Sequence, residues 1–67
     1  MSISKTLLNN EQIQLAQGWL PLGSWPYAYD SNKGLLWYWQ TYPNGLPVKG
    51  CTKLDSNQIS KLNQLTN

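Results

Sequence analysis

The run Leu35-Leu36-Trp37-Tyr38-Trp39-Gln40-Thr41-Tyr42 constrains the fold more than any other part of the chain. It is rich in aromatic β-formers and is bounded on both sides by turn-forming residues, which predicts a central strand with a hairpin at each end. Asp30-Ser31-Asn32-Lys33-Gly34 precedes it and Tyr42-Pro43-Asn44-Gly45 follows. Pro at the second position and Gly at the fourth of the latter suit a type I turn closed by a left-handed glycine. Tyr27-Ala28-Tyr29-Asp30 is the expected preceding strand. Leu46–Cys51 is the expected following one, where Pro47 demands an edge position. The Asp30–Gly34 stretch echoes the start of a calcium loop, yet it lacks the third oxygen ligand and the closing Glu, and Lys33 opposes a cation. It reads as an Asx-type turn.

A helix-start signature stands on either side of this strand region. With Asn9 as N-cap, Gln12 falls at N3 and completes a capping box, while Leu8 and Ile13 take the two staple positions. Glu11 lies in the first turn, where the macrodipole favours a negative charge. Gly18 suits a C′ position and Pro21 bars continuation, so a helix is predicted over Asn10–Gln17. The same grammar recurs with Asp55 as cap, Gln58 at N3 and a Leu54–Ile59 staple. Ile59, Leu62 and Leu65 then form one apolar stripe, and the second helix should run to about Gln64. The predicted fold class is α+β: a three-stranded antiparallel meander with one N-terminal and one C-terminal helix packed on one face, in the order α-β-β-β-α. Residues 1–67 form a single small domain in this reading, with residues 1–7 and 65–67 fraying.

Composition narrows the chemistry. The 67 residues hold no His, one Cys and three acids, Glu11, Asp30 and Asp55, against five Lys and no Arg, for a net charge of +2. A His-based triad is impossible, a Cys nucleophile lacks its imidazole partner, and the scattered acids offer no paired spacing for a metal. The expectation is therefore a non-enzyme without metal or cofactor. One cysteine cannot form an internal disulfide, no secretory leader is legible, and no run of apolar residues is long enough to span a bilayer. These features point to a cytoplasmic protein that does not enter membranes.

Period-two alternation divides the central strand into Leu35, Trp37, Trp39 and Thr41 on one side and Leu36, Tyr38, Gln40 and Tyr42 on the other. Two short helices can cover only one face of a three-stranded sheet. The Trp37/Trp39 side, free of Gln and richer in apolar surface, is the expected core. Tyr38, Gln40 and Tyr42 then face water, joined by Ala28 or by Tyr27 and Tyr29 according to register. Tyrosines on a rigid sheet make a recognition surface, although the same rings also serve as cross-strand pairs in a thin sheet. In Gly18–Pro26, Trp19 and Trp25 sit among two Pro and two Gly. That stiff apolar loop either forms a groove for an extended or Pro-rich peptide or plugs the open end of the sheet.

Leu20-Pro21-Leu22-Gly23-Ser24-Trp25 together with Trp37-Tyr38-Trp39 resembles WW domains, three-stranded binders of Pro-rich peptides. The second Trp-x-x-Pro signal of that family is missing after Tyr42, where Val48-Lys49-Gly50 stands instead. Gly18-Trp19 followed by Gly23-Ser24-Trp25 resembles choline-binding cell-wall repeats, which come in tandem on exported chains. Each resemblance covers under half of the chain, and neither assigns it to a family.

The function expected from these features is a small non-catalytic protein-binding module, such as a regulator, inhibitor or accessory subunit of the compact kind that phages and mobile elements encode. Its expected contact residues are Tyr38, Tyr42, Gln40, Tyr27, Tyr29, Trp25 and Trp19, and a homodimer through the open sheet face is a second way of using the same surface. The alternative is single-stranded nucleic-acid binding, with bases stacked on the aromatic strand and Lys33, Lys49 and Lys53 alongside. Low net charge and the lack of Arg weigh against it.

Overall fold

Asn9 and Asp55 each open a helix as the sequence predicts. In a computed structural model describing residues 5–41 and 45–66, α1 spans Asn10–Gln17 and α2 spans Ser56–Gln64. At α1 the Asn9 side-chain oxygen accepts the Gln12 backbone N–H at 2.9 Å, and Gln12 Oε1 accepts the Asn9 N–H at 2.9 Å. The Asp55 and Gln58 pair repeats this exchange at 2.8 and 3.0 Å. Each box satisfies donors that the first helical turn leaves orphaned. The end of α1 differs from expectation. Gly18 is right-handed, at φ −68°, and the chain leaves the helix through tight bonds from Gly18 N–H to Leu15 and Trp19 N–H to Ala16. A left-handed C′ glycine is therefore not what stops this helix.

The strands form one antiparallel four-stranded sheet in the order β1-β2-β3-β4, with β1 (Lys5–Leu7) before α1 and β2 (Ser24–Asp30), β3 (Leu35–Thr41) and β4 (Pro47–Lys53) between α1 and α2. The three-stranded expectation is thus corrected by one strand. Lys5–Leu7, expected to fray, pairs with Asp30, Tyr29 and Ala28, and the Leu8 N–H extends the ladder to the Tyr27 carbonyl at 2.9 Å. Three residues are too few to display an alternation, so no periodic signal marks this strand. Because β1 reaches no further than Tyr27, Pro26 occupies a stretch where β2 is an edge, and the missing N–H disturbs no outer ladder. Pro47 opens the edge strand β4, as expected.

The β2–β3 turn is built by Asp30, whose Oδ1 accepts the backbone N–H groups of Asn32 and Lys33 at 2.9 and 3.0 Å. Gly34 closes it at φ +68°, a conformation that other residues adopt at a cost, and a Cβ there would stand 3.1 Å from the Leu54 carbonyl oxygen. This is the Asx-type turn read from the sequence. Of the β3–β4 turn, Gly45 has the expected positive φ, +82°, while Tyr42, Pro43 and Asn44 lie outside the described residues.

Both helices cover one side of the sheet. Ala16, Tyr29, Leu36, Leu54 and Leu62 form the buried core, with Leu8, Leu15, Trp19, Leu20 and Ile59 packed around it. The expected sidedness is therefore reversed: Leu36, at 0% exposure, is at the centre of the core, and Trp37 and Trp39 lie on the uncovered side. The cause is visible in β4. Trp39 and Trp37 sit opposite Lys49 and Cys51, and Leu35 opposite Lys53. Burying the indoles would carry two ammonium groups into the core, a far larger cost than leaving part of two rings wet.

The two helices are joined by polar groups as well as by packing. Gln12, 1% exposed, donates from Nε2 to the Leu62 carbonyl at 2.8 Å, and Asn9 donates from Nδ2 to the Leu65 carbonyl at 2.7 Å. One capping box thus starts α1 and satisfies carbonyls at the end of α2.

Two stability predictions follow from these contacts. Gln12→Glu keeps a regular capping-box residue but sets a second acceptor against the Leu62 carbonyl, so it is expected to lower stability at neutral pH by about 2 kcal/mol in denaturant melts. Part of that loss should return on acidification, when the buried carboxyl gains a proton and can donate. An unchanged midpoint would show that the link to α2 contributes nothing. Gly50→Ala is expected to cost about 1–2 kcal/mol, because a Cβ there would stand 2.6–2.8 Å from the end of the Tyr38 ring. Combined with Tyr38→Leu it should cost less than the sum of the two single changes.

Candidate functional site: an aromatic sheet face

The side of the sheet that the helices leave uncovered carries a layer of rings. Directly paired residues share a face, so the register sets Trp25 beside Trp39 and Lys49, and Ala28 beside Trp37 and Cys51. At the turn end, Lys5, Asp30, Leu35 and Lys53 form one row across all four strands, and Leu7 joins Ala28 in the next.

Tyr27 reaches this face through a bulge. The β2–β3 register slips between Pro26 and Ala28, leaving Tyr27 as the extra residue. By simple alternation Tyr27 and Tyr29 would share a side. Instead the Tyr27 ring lies 5.9 Å from that of Trp39, tilted by 33°, on the open face. Tyr29, only 3% exposed, turns to the helices and donates its hydroxyl hydrogen to Asn63 Oδ1 at 2.8 Å. One added backbone residue separates the two phenols.

Lysines border the rings and lean over them. Lys5 Nζ lies 4.8 Å from the Trp37 ring centroid and 5.2 Å from that of Tyr27, while Lys49 Nζ lies 5.2 Å from that of Trp39. Contacts of this kind on a partly exposed surface contribute about 0.5–1 kcal/mol each. For Lys5 they also hold the short β1 against the sheet. The rings in turn roof the backbone, since Ala28 on this face is fully buried. Trp39 remains 37% exposed, Trp25 54% and Leu7 76%. Cys51, a free exposed thiol, lies in the row of Trp37, between Lys49 and Lys53 along β4.

The contact residues read from the sequence are thus dispersed. Trp25 and Tyr27 belong to the open face. Tyr29 is in the core, and Trp19 is half-buried and packs against that core. Tyr38 and Gln40 lie half-buried on the helix-bearing side, with the Tyr38 ring lying across Gly50. Tyr42 lies outside the described residues. Of the expected phenol face of Tyr38, Gln40 and Tyr42, the two described residues lie on the helix-bearing side, and the uncovered side carries Trp37, Trp39, Lys5 and Leu7, which are not among the residues expected there. The signal that locates them is Lys49, Cys51 and Lys53, alternating along β4 with Val48, Gly50 and Thr52. Charge on one side of an edge strand marks the wet face more reliably than ring size on its neighbour.

Among the described residues, no three His, Cys, Asp or Glu side chains come together, and no helix is long and apolar enough to cross a membrane. Compared with known proteins, the chain matches no family model, no curated sequence and no solved structure.

Proposed function

We propose that the protein is a non-catalytic docking module that binds another protein through the open sheet face. The observation that carries this reading is the gathering of Trp25, Tyr27, Trp37 and Trp39 on the one side of the sheet that no helix covers. Partly exposed indoles on a rigid sheet supply contact area at little conformational cost, and Trp and Tyr dominate the energetic centres of protein interfaces. The low net charge of +2 and the lack of Arg argue for protein rather than nucleic acid.

Trp25, the most exposed of the four Trp side chains, is the position to test. Trp25→Ala is expected to cost about 1 kcal/mol of stability but to weaken partner binding by roughly 30-fold, the effect of an interface anchor. The measurement compares proteins retained from cell extract by the immobilised wild type and by the variant. Alkylation of Cys51 on the same face should slow when the retained protein is bound. A variant that retains everything the wild type retains overturns the reading, as does retention that nuclease treatment abolishes.

A further inference from the structure

The distribution of charge on this face specifies its occupant, an inference that rests on the docking reading above. Lys5 stands on one rim, in β1, and Lys49 and Lys53 stand on the other, in β4. The two inner strands between them present Trp25, Tyr27, Leu35, Trp37 and Trp39. The one carboxylate in these rows is Asp30, 4% exposed and engaged with the Asn32 and Lys33 N–H groups. Glu11 lies in the first turn of α1 and Asp55 caps α2. The open face is therefore an apolar floor between cationic margins.

Its width selects the shape of the guest. Three inter-strand steps separate β1 from β4, about 14 Å at the usual sheet spacing. An α-helix with its side chains measures about 10–12 Å across. We infer that the face receives an amphipathic helix of a partner protein, laid along β2 and β3, whose apolar stripe is bordered on both sides by carboxylates. The stripe would rest on the indoles and the carboxylates would meet the ammonium groups of Lys5, Lys49 and Lys53.

The other occupants fit less well. A second copy docked face to face would set Lys5, Lys49 and Lys53 against their own counterparts, and like charges across an interface oppose association. An added strand on β4 would meet Pro47, Lys49 and Lys53, residues of the kind that keep sheet edges unpaired.

The test is selection of displayed random peptides of about 18 residues, five helical turns, on the immobilised full chain, with the Trp25→Ala variant as counter-selection. The expected products are acidic sequences with apolar residues at helical spacing, which gain helical circular dichroism when bound. Lys49→Glu with Lys53→Glu should weaken the best of them by about tenfold, and added salt should weaken it in the wild type. Enrichment of neutral, basic or strand-alternating sequences, or an affinity indifferent to the charge reversal, overturns the acidic helix and leaves docking on this face standing. Equal enrichment on wild type and Trp25→Ala overturns the docking reading together with it. Tighter binding of oligothymidine than of any selected peptide overturns both in favour of nucleic acid.

Discussion

The rest of the fold hangs on the buried carboxamide of Gln12. A primary amide both donates and accepts, and this one uses its oxygen to start α1 and its nitrogen to reach the Leu62 carbonyl of α2. Asn9 divides its labour in the same way between the Gln12 N–H and the Leu65 carbonyl. A helix pair of eight and nine residues has little intrinsic stability of its own. Shared hydrogen bonds fix one helix relative to the other before any apolar packing is considered. The core they close, from Ala16 through Leu36 to Leu62, is correspondingly small.

What could be read from the letters was local. Both helix starts follow from four-residue patterns whose chemistry is self-contained, and the helices begin where those patterns place them. The β2–β3 turn is likewise written in Asp30 and Gly34. Sidedness is not local. Leu36 and Trp37 are neighbours of similar apolar character, and which is buried depends on the strand that pairs with them more than ten residues later. The register with Lys49, Cys51 and Lys53 decides it, together with a bulge at Tyr27 that no motif announces. Ring size alone favours the indoles inside, and the cost of burying lysine keeps them outside.

The candidate site was legible only in its parts. Trp25 and Tyr27, contact residues in the sequence reading, lie on the open face, and so do Trp37 and Trp39, which ring size and alternation place in the core. Lys5 falls in a segment expected to fray, because its strand owes its existence to β2 and to the rings beneath its ammonium group. The resulting surface is more cationic than one made of phenols would be. Its rings are also partly satisfied already, which lets an apolar layer stand in water without a cover.

The span of the Gln12–Leu62 bond has a consequence for biosynthesis. The two residues are separated by 50 positions. A chain elongating at about 5–20 residues per second leaves the Gln12 amide without its acceptor for several seconds. During that interval the nascent protein can form its meander, yet its first helix still has nothing to close against. Completion of the fold is thereby deferred until α2 has been synthesised, so that the helical cover locks over the sheet only after all four strands have been made.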